Sequence, residues 1–185
     1  MPLHPWKIVS SKYLVQDRWL SLRADRCETA EGLVIEPYYV QESPDWAHIA
    51  AFDEELRLLL VRQYRHGPRS ISVELPSGMV DPGEEPRKAV VRELLEETGA
   101  EVRELLPLSS MSPNPARMAN TVHSFAGTGA RIVAAQKLDQ AEEIEFFFRP
   151  LPTVMEMIDS GEFCHSLHIA TLFLALRKLK LLPSE

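Results

Sequence analysis

Cysteine is scarce in this chain. Only Cys27 and Cys164 occur in 185 residues, with no Cys-x-x-Cys pair, which excludes a thiolate zinc site and a disulfide framework. Long apolar runs are missing as well. The least polar stretch, Phe163 to Leu176, carries two histidines and is too short to cross a bilayer core of about 30 Å. The first residues, Met1 to Trp6, contain no apolar segment of the kind a secretory leader needs. Positive charge is in deficit: 20 Lys and Arg stand against 27 Asp and Glu, for a net charge of −7. That sign repels polyanions, so nucleic acid and a polybasic membrane patch are excluded as partners. A phosphorylated small molecule stays open, provided that a metal ion supplies the positive charge. No internal repeat or low-complexity tract is visible. With 45% hydrophobic and 25% charged residues, the mixture is that of a globular, cytoplasmic protein with one domain or a domain plus a small extension.

Turn signals and apolar alternation divide the chain further. Strands are expected at Trp6–Val15, Trp19–Glu28 and Leu33–Gln41, with turns at Gln16-Asp17 and Glu31-Gly32. Pro44-Asp45 breaks the pattern, setting a boundary between residues 1–45 and 46–185. A hairpin, Ala47–Phe52 with Leu56–Tyr64, and a short strand Val73–Leu75 follow, and a loop from Met79 leads to Pro86. Proline suits the first turn of a helix, and Gly99 suits its left-handed C-terminal position. Further strands are expected at Val102–Met111, Thr121–Phe125, Arg131–Ala134 and Ile144–Phe148, then helices at Thr153–Asp159 and His165–Leu181. Irregular alternation of this kind favours an α+β fold with a mixed sheet over a doubly wound one.

The helix expected at Pro86–Thr98 concentrates acid. At about 100° per residue, with Ala89 at zero, Glu96, Glu93 and Glu97 fall near 340°, 40° and 80°. Val90, Leu94, Val91 and Leu95 take the opposite arc. Like charges three and four residues apart repel by about 0.2–0.5 kcal/mol per pair, a cost that a divalent cation offsets. Oxygen donors without thiolate or imidazole select Mg²⁺ or Mn²⁺. An acidic helix face by itself is more often simply solvated, but here the upstream spacing adds to it. Gly78 is followed by five residues, Glu84, seven residues, Arg92-Glu93-Leu94, one residue, Glu96-Glu97, one residue and Gly99. A chance match of this pattern in such a length is on the order of 10⁻⁷ at average residue usage.

This spacing resembles the Nudix box, a 23-residue signature filled here from Gly78 through Ala100, with Ala100 smaller than the usual aliphatic. The resemblance implies a Nudix-type α/β/α sandwich with a mixed sheet, preceded by an N-terminal antiparallel β subdomain. It also implies Mg²⁺-dependent hydrolysis of a nucleoside diphosphate linked to another moiety. In that chemistry the cation polarises the phosphoryl oxygens and lowers the pKa of a bound water. Carried over, Glu93 and Glu97 are the main metal ligands, Glu96 a bridging or second-metal ligand, and the Ser77 carbonyl a backbone ligand. Gly78 keeps a Cβ away from the metal, while Glu84 and Arg92 form a structural ion pair that closes the loop onto the helix, unless Arg92 touches phosphate instead, and Gly99 is a structural residue of the motif.

The stretches Val61 to Arg65 and Val73 to Gly78 resemble the ADP-ribose pyrophosphatase branch, which implies ADP-ribose or a related nucleotide sugar as substrate and a homodimer built through the N-terminal strands. Ser112-Pro113 and Pro115 resemble its proline marker, and Glu142-Glu143-Ile144-Glu145 its loop that brings a further glutamate to the metals. Two positions depart from the branch. Residues 116–120 hold no glutamate, which leaves ADP-ribose itself open, and Gln140 stands where some members place an acid, which leaves Glu142 as the catalytic candidate beside Glu96. Arg65 and Arg117 are candidate phosphate or ribose contacts or else solvated arginines. Trp46 either stacks on a base or packs at an interface. His123, His165 and His168 read as structural. Other readings are a Nudix hydrolase of dinucleotides or nucleoside triphosphates, and a non-catalytic nucleotide-binding module, although every box glutamate is present.

Overall fold

The computed structural model describes residues 3–182 and falls into two compact units, Met1–Pro44 with Ser112–Thr121, and Asp45–Met111 with Val122–Glu185. The first unit is an antiparallel meander of β1 (Lys7–Gln16), β2 (Ser21–Glu28) and β3 (Val34–Glu42). Asp17 makes the first turn, its carboxylate accepting the N–H groups of Trp19 and Leu20 at 2.7 and 2.9 Å. Segment 112–121 adds to the unit through Gln41, whose N–H donates to the Arg117 carbonyl at 2.7 Å and whose carbonyl accepts from Ala119 at 3.2 Å. Every residue of β1 is exposed, and Trp19 is 80% exposed.

The second unit is a sheet covered on both faces. Its elements are β4 (Trp46–Phe52), β5 (Leu58–Arg65), β6 (Ser70–Glu74), β7 (Ser77–Met79), α1 (Pro86–Thr98), β8 (Ala100–Glu101), β9 (Glu104–Met111), β10 (Val122–Thr128), β11 (Arg131–Ile132), β12 (Ile144–Arg149), α2 (Leu151–Asp159) and α3 (Ser166–Lys178). The main path is β12-β5-β4-β10-β9, parallel only between β4 and β10. Alternation on β4 divides the core. Ala47, Ile49 and Ala51 pack with Ala89, Val90 and Leu94 of α1, whereas Ala50 and Phe52 join Val154, Phe163 and Leu172 on the face of α2 and α3. The α+β sandwich expected from the sequence is therefore present, with its antiparallel N-terminal sheet.

Three local expectations change. The hairpin of β4 and β5 is joined only at Phe52↔Leu58 and then splays; β6 pairs with β5, and β7 fills the β4 side with Ala47↔Gly78. Residues 77–79 thus form a strand, with Met79 in it rather than at the start of the loop; the stretch is too short to show alternation. The expected strand at Val102–Met111 is split, because Ala100–Glu101 pairs instead with Arg131–Ile132 in a separate ribbon. On α1 the buried stripe is Ala89, Val90, Leu94, Glu97 and Thr98, while Val91 and Leu95, members of the apolar arc, are 45% and 41% exposed. The helix packs through its small Ala89, which brings the acidic face toward the sheet. Behind β4, His48, His165 and His168 cluster, with ring centroids 4.3 Å apart for His48 and His168 and 3.9 Å for His165 and His168. His168 Nδ1 accepts the Leu75 N–H at 3.0 Å. Burial, then the neighbouring His165, holds the His48 pKa down to about 3.

Candidate active site

The splayed hairpin puts Ser77-Gly78 directly under α1. Gly99 ends that helix in the left-handed region, φ 67°, donating its N–H to Leu95 O at 2.8 Å. Glu97, two residues earlier on the inner face, is only 4% exposed and accepts the Ser77 N–H at 2.9 Å. Burial raises its pKa to about 8, the Ser77 hydrogen bond opposes this, and the charges of Glu93 and Glu142 add to the rise. Glu93 is also pushed up, first by burial, against the pull of Arg92. These carboxylates and Glu96 line one cleft of about 410 Å³ with Trp46, Arg65 and Arg92.

Arg92 ties the acidic face together. Its Nε and Nη2 donate to Glu84 at 3.1 and 2.9 Å, Nη2 also reaches the Met79 carbonyl at 3.0 Å, and Nη1 bridges Glu93 and Glu96 at 2.8 and 3.2 Å. The Glu84 bond is the first cause of a raised Arg92 pKa. Among the described residues, no three acidic, His or Cys side chains already form a closed coordination shell. The donor set nevertheless fits a hard divalent cation. Glu97 is a buried carboxylate with one N–H partner and like charges around it, which is the environment that a cation relieves.

Residues 43–163 match the NUDIX domain. The chain belongs to the Nudix hydrolase family. Residues 6–41 match the nucleoside diphosphate sugar hydrolase N-terminal domain. The chain is 27% identical over 153 residues to the methanol dehydrogenase activator of Bacillus methanolicus, covering 82% of each chain. It is 27% identical over 172 residues to the ADP-ribose pyrophosphatase of Mycobacterium tuberculosis, covering 92% of this chain and 83% of the relative. A crystal structure of an ADP compounds hydrolase shares the fold with a TM-score of 0.86 at 22% identity, covering 97% of both chains. Nudix hydrolases are divalent-metal dependent, in keeping with the donor set.

The structure gathers most of the residues that the sequence singled out. Glu93, Glu96, Glu97, Glu142, Ser77, Gly78, Arg92, Arg65 and Trp46 line the same cleft of the Nudix unit. Trp46 is half-buried at the start of β4. Arg117 belongs to the other compact unit, and Glu84 acts through Arg92. Sequence reasoning missed Gln63, Lys137 and Asp139, which also line the cleft. No spacing rule marks them; only Lys137, a lone cation ahead of the acidic run, offered a signal. Of the neighbouring acids, Glu145 pairs with Arg62 and Glu143 lines a different hollow beside Tyr64 and Ile71.

Gly78 has a reason that the box pattern did not reveal. A Cβ at this position would lie 2.0 Å from Glu93 Cδ, so the glycine makes room for a carboxylate. That obstacle is the end of a flexible side chain, so Gly78→Ala is expected to fold normally while displacing Glu93. Losing about 1.5–3 kcal/mol of cation or transition-state interaction corresponds to a rate loss on the order of 10–100-fold. Thermal melts and a Mg²⁺ titration of activity check this; full activity at the wild-type Mg²⁺ requirement would refute it.

Proposed function

We propose that this Nudix hydrolase cleaves the pyrophosphate bond of a nucleoside diphosphate joined to a sugar moiety, with ADP-ribose or a related nucleotide sugar as substrate and Mg²⁺, or Mn²⁺, as cofactor. The observation that carries the proposal is the convergence of Glu93, Glu96, Glu97 and Glu142 on one cleft over Ser77-Gly78. The N-terminal match over residues 6–41 and the pyrophosphatase relative support the substrate class.

Glu93, Glu97 and the Ser77 carbonyl would hold the cation, with Glu96 as a bridging or second-site ligand. When bound, the cation polarises the phosphoryl oxygens and offsets the charge that builds on them. Water adds to one phosphorus, the bridging P–O bond breaks, and Glu142 accepts the proton, giving a nucleoside monophosphate and a sugar phosphate. Arg65 and Lys137 are the cations of the cleft wall available to phosphate. Trp46 offers a face to the base. Incubation with ADP-ribose, GDP-mannose, UDP-glucose, diadenosine polyphosphates and nucleoside triphosphates in Mg²⁺, with products identified by mass, tests the reading. AMP and ribose 5-phosphate are expected from ADP-ribose; turnover confined to triphosphates or dinucleotides would overturn it.

The chain is also expected to form a homodimer through its N-terminal strands. Trp6, Ile8, Val9, Tyr13 and Leu14 of this unit are all exposed, a density of apolar surface that calls for a partner. Light scattering at micromolar concentration should give twice the chain mass, and a monomer would reject the assignment.

A further inference from the structure

Arg65 is held from behind by a group that the reaction has not yet used. Its Nε donates to Glu74 Oε1 at 2.9 Å and its Nη2 to Glu74 Oε2 at 2.7 Å. In the β5–β6 ribbon Arg65 pairs with Ser70 and Glu74 with Val61, so the arginine stretches along one face, past Gln63↔Ser72, to reach its partner. The two ends differ in surroundings. The Glu74 side chain is 1% exposed, whereas that of Arg65 is 39% exposed and lines the carboxylate cleft.

A carboxylate taken out of water costs several kcal/mol unless it is paired, and a buried pair seldom adds net stability over an apolar one. Geometry offers another reason for this pair. A two-pronged grip occupies Nε–H and one N–H of Nη2, leaving three of the five guanidinium donors for the cleft. The Arg65 pKa is raised first by its hydrogen bond to Glu74 and further by the charges of Glu97 and Glu142. Released from Glu74, a long flexible arginine in that field would swing onto the carboxylates and compete with a cation for them. The histidines behind Glu74 offer no substitute partner, because burial lowers the pKa of His165 and His168 and keeps them neutral.

We propose that Glu74 is a positioning residue, which fixes Arg65 so that its free N–H groups face the phosphates of a nucleoside diphosphate and its charge stays off Glu97 and Glu142. The proposal rests on the reading of Arg65 as a phosphate contact. Four proteins are compared, wild type, Glu74→Gln, Arg65→Ala and the double variant, by steady-state hydrolysis of ADP-ribose and by calorimetric Mn²⁺ binding to the substrate-free protein. Glu74→Gln should raise KM and weaken Mn²⁺ binding, each by about tenfold, the equivalent of roughly 1.4 kcal/mol. Arg65→Ala should raise KM and leave Mn²⁺ binding intact. The double variant should keep the KM of Arg65→Ala and recover wild-type Mn²⁺ affinity, since the competing arginine is gone; a purely structural role for Glu74 predicts no such recovery. If Glu74→Gln does not fold, Arg65→Lys takes its place, because a lysine cannot make the two-pronged grip and should weaken Mn²⁺ binding in the same way. Unchanged KM and Mn²⁺ affinity in Glu74→Gln, or unchanged Mn²⁺ affinity in Arg65→Lys, with a raised KM in Arg65→Ala, would overturn the positioning role alone. A normal KM in Arg65→Ala would overturn the phosphate contact and the proposal with it.

Discussion

Glu97→Gln is expected to abolish most of the activity while leaving the protein as stable as wild type or more so. The amide keeps the shape of the side chain and still accepts the Ser77 N–H now bonded at 2.9 Å. What it loses is the charge at the most buried carboxylate of the site. If that ligand contributes about 3 kcal/mol to the transition state, the rate falls by roughly two orders of magnitude. Stability should move the other way, with a pH dependence that identifies the cause. In the metal-free fold the Glu97 pKa is raised by burial to about 8, from an ordinary value of 4.5. A group whose folded pKa lies above its unfolded one takes up a proton on folding, so it favours the fold at low pH and loses that contribution as pH rises through the window. Wild type should therefore lose the Glu97 contribution between pH 4.5 and 8, and the variant should show a shallower loss, because the raised Glu93 remains. The Tm difference should grow toward the upper end of that window and shrink when Mg²⁺ is added to wild type. Near-normal turnover at saturating Mg²⁺ would remove Glu97 from the metal site.

Glu142→Gln is expected to lower kcat by about 10²-fold or more, the usual worth of a positioned proton acceptor, while Glu143→Gln and Glu145→Gln stay close to wild type. The three acids are neighbours in sequence with different surroundings. Ile144 is buried on β12, and alternation turns Glu145 outward to Arg62, while Glu143 lines the hollow by Tyr64. Glu142 precedes the strand and lines the carboxylate cleft, and its charge is felt by both Glu93 and Glu97. Its Oε2 accepts the Asp139 N–H at 3.0 Å, closing the turn in which its own N–H donates to the Asp139 carbonyl. A glutamine retains that acceptor, so the turn survives and only the proton acceptor is lost. Gln140 has no such capacity near neutral pH. Rates measured at fixed Mg²⁺ decide the matter: equal, small losses at all three positions would return water activation to Glu96 or to the cation alone.

Interactions between residues a few positions apart are legible in the chain itself. The helix from Pro86 to its left-handed stop at Gly99 follows from residue chemistry, and its 3.6-residue period alone brings Glu93, Glu96 and Glu97 to one side. The Glu84–Arg92 pair is carried by the box spacing. Long-range consequences are not legible there, because strand pairing and burial depend on what the rest of the chain packs against. Residues 77–79 have no strand signature of their own; they pair with β4 because the hairpin of β4 and β5 opens and leaves an edge. The apolar arc of α1 does not show that Val91 and Leu95 face outward, since the small Ala89 lets the acidic side approach the sheet. The need for glycine at 78 appears only when Glu93 arrives over it, and the grip of Glu74 on Arg65 only when β6 returns along β5. The sequence by itself determined the helix, its acidic face and the family. The tertiary structure alone decided which carboxylates are buried and which arginine faces them, because desolvation and charge proximity exist only once distant segments have packed.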